Sequence, residues 1–167
     1  MFNGIIYKTG KIKFIQKNKN NFTIGIENVL NLKDKDIGSS ISCNGVCLTL
    51  TNIKKKIIFF YLSFETLNKS NLRFINLEDP INMEKSLVYG QKISGHFVQG
   101  HVDTTAAVKK IIFVDKTWLI RFQLKNKKLS KFLVEKASIG INGVSLTIAK
   151  VKNNFFEVNI IPHTLEL

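Results

Sequence analysis

Cysteine, serine and histidine are the side chains here that could carry covalent or proton-transfer chemistry, and they sit in a repeated setting. "NGVCLTL" (44–50) and "NGVSLTI" (142–148) agree at five of seven positions, and their most consequential difference is Cys47 against Ser145. A thiolate is a nucleophile, whereas a serine hydroxyl is a weak one without an adjacent base. His96 and His101 lie in "GHFVQGH" and His163 in "IPHT"; imidazole titrates near neutral pH and suits proton transfer. The spacings Cys43-x3-Cys47 and His96-x4-His101 also satisfy zinc patterns. The repeat, however, replaces Cys43 by Ile141 and Cys47 by Ser145, and 48 residues separate the two pairs, so no metal is expected. A free cysteine is commonly a small buried hydrophobe, but Cys47 shares the polar face of its strand with Thr49. His96 fits a structural histidine beside a glycine turn as well as a chemical one. On a continuous strand His96 and His101 would point to opposite faces, so one at most would face a shared pocket, with His101 the first candidate and His96 the second.

These residues need scaffolding, and the chain supplies it twice. At an offset of 98, Ser40-Ile41 matches Ser138-Ile139, Asn44-Gly45-Val46 matches Asn142-Gly143-Val144, and Thr66-Leu67 matches Thr164-Leu165. Nearer the start, "FNGIIYKTGKI" (2–12) pairs loosely with "VQGHVDTTAAV" (98–108) at an offset of 96. Two homologous halves follow, 1–90 and 91–167, joined within 82–95. "CLTLT" and "SLTIA" alternate with period 2, which sets Cys47, Thr49 and Thr51 opposite Val46, Leu48 and Leu50, and Ser145, Thr147 and Ala149 opposite Val144, Leu146 and Ile148. "KIIFFYLSF", "TWLIRFQL" and "NFFEVNII" are further β-rich runs. Asn-Gly before each twin strand supplies the positive φ of a tight turn. "KLSKFLVEK" carries Leu129, Phe132 and Leu133 at helical spacing. The expected architecture is all-β, two small antiparallel barrels in tandem with short helices.

Bulk properties narrow the setting. The 167 residues, 44% of them apolar, can fill a core. The first residues, "MFNGIIYKTGKIKF", lack a secretory pattern and no apolar run is long enough to span a bilayer, so a cytoplasmic protein is expected. Cys43 and Cys47, if extended between them, would lie roughly 13 Å apart, too far for a bridge; free thiols are expected. A net charge of +13 invites a nucleic-acid reading. The lysines are dispersed, arginine is scarce and no aromatic RNA-binding motif is present, so the charge reads as compositional.

Six segments, "MFNGII", "NGVCLTL", "ETLNKSNL", "GHFVQGHVD", "NGVSLTI" and "IPHTLEL", stand in the order and spacing of the riboflavin synthase family, which the whole chain resembles. The resemblance implies two lumazine-binding repeats, each a six-stranded closed barrel, and a homotrimer for the full-length family member. It implies a cofactor-free dismutation of two 6,7-dimethyl-8-ribityllumazine molecules to riboflavin and 5-amino-6-ribitylaminouracil by transfer of a four-carbon unit. A non-catalytic lumazine- or flavin-binding protein of the same fold is the alternative. Catalytic roles are implied for Cys47, His101, His96 and Ser145. Matching positions imply ligand contacts from Gly4, Ile5 and Ile6; Cys47, Leu48 and Thr49; Glu65 and Thr66; Gly100, His101 and Val102; Lys136; Ser145, Leu146 and Thr147; and Asn159, Ile160, Ile161, Pro162, His163 and Thr164. After "IPHTL" only Glu166 and Leu167 follow, so the second barrel is expected to be truncated relative to the family.

Overall fold

A computed structural model describes residues 1–18 and 21–165. In the first half, β1 (Lys8–Asn18), β2 (Asn21–Glu27), β3 (Ser40–Cys43), β4 (Val46–Lys54), β5 (Ile57–Leu62) and β6 (Pro80–Lys85) form a closed barrel in the order β1-β2-β5-β4-β3-β6. Alternation drives it: Ile12, Ile24, Ile26, Ile41, Leu50, Phe60 and Met83 are all at most 1% exposed and fill the lumen. Complete burial of such a side chain contributes about 1.5–3 kcal/mol.

The second half repeats the pattern. Strands β7 (Ala106–Val114), β8 (Thr117–Leu124), β9 (Ser138–Ile141), β10 (Val144–Lys152) and β11 (Phe155–Ile160) form a sheet ordered β7-β8-β11-β10-β9. That is the order β1-β2-β5-β4-β3 again. Register breaks at Ile12/Phe14 and Leu50/Asn52 recur at Val108/Lys110 and Ile148/Lys150, so the bulges that bend the strands are repeated as well. The position that β6 fills between β1 and β3 is unfilled in the second half among the described residues. Its inward face is correspondingly more open: Ile41 is buried, its counterpart Ile139 only half-buried.

The Asn-Gly turns form as the sequence predicts, with φ of 48° and 80° at Asn44-Gly45 and 48° and 84° at Asn142-Gly143, the geometry of a type I′ hairpin. The segment expected to be helical, "KLSKFLVEK", begins in a 3-10 helix over Lys127–Phe132, opened by the Asn126 side chain accepting from the Lys128 N–H. Leu129 and Leu133 pack on the second core while Phe132 stays exposed. Two short helices, α1 (Phe64–Lys69) and α2 (Pro162–Leu165), follow β5 and β11 at matching places. No helix among the described residues is long and apolar enough to cross a membrane.

The halves meet through equivalent residues. Phe2 and Val98 exchange backbone hydrogen bonds of 2.7 and 3.0 Å, and the Gly45 and Gly143 turns abut so closely that a Cβ on Gly45 would lie 2.7 Å from the Gly143 nitrogen. Contacts between equivalent residues lie on a pseudo-two-fold axis.

Candidate functional site

Strands β4 and β10 carry the twin motifs. Leu48 and Leu50 point into the barrel, leaving Cys47 half-buried and Thr49 exposed on the outer face; Ser145 and Thr147 have the same exposures on β10. The two cysteines are not separated by extended chain. The Asn44-Gly45 turn folds the segment back, pairing Cys43 with Val46 and Ser42 with Cys47. Both thiols are nevertheless free, because Cys43 faces the lumen and Cys47 the outside. Burial pushes the Cys43 thiol far above its ordinary range, with proximity to Cys47 adding to the rise; Cys43 is therefore inert.

Each outer face is covered by a strap from the opposite half. The Cys47 N–H donates to the Gly100 carbonyl at 2.8 Å, and the Ser145 N–H donates to the Gly4 carbonyl at 2.7 Å. Gly100 and Gly4 have φ of +82° and +74°, and a Cβ there would stand 2.6 Å from Cys47 Cβ and 2.8 Å from Ser145 Cβ respectively. Only glycine fits both the conformation and the space. Ile6 in turn reaches Gly143, while Val102 packs on the first core. So the N-terminal strap meets β10 of the second half through Gly4 and Ser145, and the inter-repeat strap meets β4 of the first half through Gly100 and Cys47.

Register places the rest. Leu50 pairs with Phe60 and Ile148 with Val158, so the chain leaving β5 emerges at the Cys47 end of β4 and the chain leaving β11 at the Ser145 end of β10. Glu65 and Thr66 lie in α1 beyond that end of β5; Asn159 and Ile160 close β11, with Ile160 buried in the second core, and Pro162, His163 and Thr164 lie in α2. The two helix starts differ: Ser63 caps α1, accepting from the Thr66 N–H at 3.1 Å, where the second half has Ile161. The Lys136 N–H donates to the Ile148 carbonyl at 2.8 Å; Gly38 makes the equivalent bond to Leu50. Lys136 holds a left-handed φ of +71° where its counterpart is glycine, a conformation that costs a residue with a Cβ roughly 1–2 kcal/mol.

The histidines part ways. Residues 96–101 form no continuous strand, so the opposite-face argument, which allowed at most one of His96 and His101 into a shared pocket, does not apply. It is His96 whose Nδ1 lies 2.7 Å from Ser145 Oγ, with its backbone N–H held by the Asn3 carbonyl at 3.1 Å. Desolvation lowers the His96 pKa, keeping its ring neutral at pH 7 and able to accept a proton. His101 is exposed, directly after Gly100 in the strap over Cys47; His163 is exposed in α2. Two residues escaped sequence reasoning. Asn3, buried, accepts the Ser94 and Gly95 N–H groups at 3.0 and 2.8 Å on its side-chain oxygen. Glu84, 2% exposed, accepts the Asn3 N–H at 2.7 Å and the Gly4 N–H at 3.0 Å. Burial raises the Glu84 pKa against the opposing pull of those N–H groups and that of Ile5. Period 2 assigns Glu84 to the outer face of β6, and nothing in the sequence says that a strap covers it.

Among the described residues no three histidine, cysteine, aspartate or glutamate side chains converge as a metal cluster would require. Two clefts of about 320 and 480 Å³ flank Asn71 and Phe74 at the junction of the halves, and neither is lined by Cys47, Thr49, Ser145 or Thr147. The chemical groups lie on the strapped strand faces instead.

Tandem repeats of one small β fold, each presenting a polar strand face beneath a glycine strap, define a class: the model of the lumazine binding domain matches residues 3–86 and again 99–167. The riboflavin synthases of Buchnera aphidicola subsp. Schizaphis graminum and of Escherichia coli are each 36% identical over 99% of this chain, which covers 80% and 78% of their lengths. The chain belongs to the riboflavin synthase family. Its fold also matches crystal structures of LumP complexed with flavin mononucleotide (TM-score 0.84, 23% identity, 99% of this chain and 89% of that one) and with 6,7-dimethyl-8-(1′-D-ribityl) lumazine (0.81, 22%, 98% and 88%). At that identity the likeness is one of fold.

Proposed function

We propose that the chain is a riboflavin synthase, converting two molecules of 6,7-dimethyl-8-ribityllumazine into riboflavin and 5-amino-6-ribitylaminouracil. The observation that carries this is the pair of similar but unlike strapped faces. A dismutation needs two copies of one molecule in different roles, and Cys47 beside Thr49 and Ser145 beside Thr147 supply two related settings with different chemistry. Holding both reactants in register can lower a barrier by about 7–11 kcal/mol.

One lumazine loses a proton from its C7 methyl, and the resulting exomethylene anion attacks C7 of the other. Around Ser145, neutral His96 accepts a proton either directly or through the serine hydroxyl it contacts. Around Cys47, the thiol and His101 face the other ligand, the thiol as a nucleophile or a contact. Thr49 and Thr147, the strap backbones at 4–6 and 100–102, Glu65, Thr66, Lys136 and 159–164 hold the pteridine and ribityl groups. The enzyme works as a cytoplasmic homotrimer, with the first barrel of one subunit meeting the second half of a neighbour to bring the two ligands together.

The test is to incubate the protein with the lumazine and follow riboflavin absorbance and fluorescence. Two lumazines should disappear per riboflavin formed, and Cys47→Ser should slow turnover while changing ligand affinity by less than about tenfold, ~1.4 kcal/mol. Ligand binding with no riboflavin formed would favour a non-catalytic lumazine- or flavin-binding protein of the same fold.

A further inference from the structure

We propose that Glu84 is a positioning residue for the pocket around Ser145, acting from the other half of the molecule by holding the N-terminal strap; the role in catalysis rests on the function proposed above. Glu84 lies on β6 of the first barrel, opposite Ser42 in register. Its neighbour Met83 fills the lumen, so the Glu84 side chain projects outward, yet it is 2% exposed, with Asn3 and Gly4 bonded over it.

The carboxylate grips the strap at two successive amides, one oxygen on the Asn3 N–H and the other on the Gly4 N–H. The left-handed φ of +74° at Gly4 lets neighbouring N–H groups converge on one anion, as in a backbone nest. From that grip the strap reaches the pocket by two routes. The Gly4 carbonyl accepts the Ser145 N–H, and the Asn3 carbonyl accepts the N–H of His96, whose ring contacts Ser145 Oγ. The Asn3 side chain binds Ser94 and Gly95, and Gly95 is so close to Ser145 that a Cβ on it would stand 2.8 Å from Ser145 Cβ. One carboxylate thus fixes the strap that aligns the serine, its histidine and the ligand-facing backbone of residues 4–6. A buried carboxylate is costly without such partners, and these two amides are the ones that seat the strap.

The experiment compares the protein with Glu84→Gln, which keeps the shape but offers one acceptor oxygen for two N–H groups, and with Glu84→Met, which removes the buried charge and guards against misfolding. Amide hydrogen exchange is read without ligand. The Asn3, Gly4 and Ser145 amides should exchange at least about tenfold faster, while the Cys47 amide, bonded to Gly100, and the amides of β3 and β6 keep their protection. Titration with the lumazine should then show weaker binding at the site that Thr147→Val also weakens and unchanged binding at the site sensitive to Thr49→Val. Unchanged exchange at Gly4 and Ser145 overturns the proposal, and so does loss of protection throughout β3 and β6, which would make Glu84 a general fold residue. Faster strap exchange with both affinities intact removes its positioning role. If the wild-type protein binds no lumazine, the functional reading fails, and the exchange data still decide whether Glu84 holds the strap.

Discussion

The contact between His96 and Ser145 is where a side chain's surroundings most directly set its chemistry. Burial disfavours the imidazolium, so the folded-state pKa of His96 lies below its ordinary value of 6.5. The unfolded chain binds that proton more readily than the folded one, so stability rises with pH across the interval between the two values. The contribution is complete above pH 6.5 and is lost as pH falls through the folded pKa. An NMR titration should place the His96 ring below 6.5, and His96→Gln should flatten the fall in stability just below that pH; a ring titrating at or above 6.5 would remove the reason for treating it as a neutral acceptor. Sequence placed Cys47, Ser145 and both histidines among the candidates, because residue type and motif spacing are local properties. Parity allowed at most one of His96 and His101 into a shared pocket, a rule that holds only for a continuous strand, and residues 96–101 are not one.

Strands were the most legible elements. Period-2 alternation and the Asn-Gly turns mark β4 and β10, and the inward faces are those the pattern predicts. The straps were not legible, since "FNGII" and "VQGHV" have the same local pattern whichever half they cover; the crossing arises from close approaches at Gly4 and Gly100. The helical segment after β8 was legible from its i, i+3, i+4 spacing, and it winds as the tighter 3-10 form over Lys127–Phe132. Closure of the first barrel by β6 has an energetic consequence for its elements. Ile41→Ala should cost about 2–5 kcal/mol, and Ile139→Ala distinctly less, because Ile139 is only half-buried. Denaturant melts of the two variants check this; equal losses would show the second sheet to be as well sealed as the first.

The whole molecule is a pseudo-symmetric pair whose halves each complete the other's candidate site. Phe2 meets Val98, Gly4 covers Ser145 and Gly100 covers Cys47, so neither polar face is built by one repeat alone. The duplication was visible in the sequence as a constant offset, and the exchange of straps was not. Exchange of straps is also what makes the central claim testable. Bound lumazine followed by NMR should give two resolved sets of ligand signals per chain, and single substitutions should assign them crosswise. Gly100→Ala should remove the same set as Thr49→Val, and Gly4→Ala the same set as Thr147→Val, because each added methyl group intrudes on the strand of the opposite half. Loss of one common set in Gly4→Ala and Thr49→Val would contradict the account, since it would mean that each repeat builds its own pocket from its own strap.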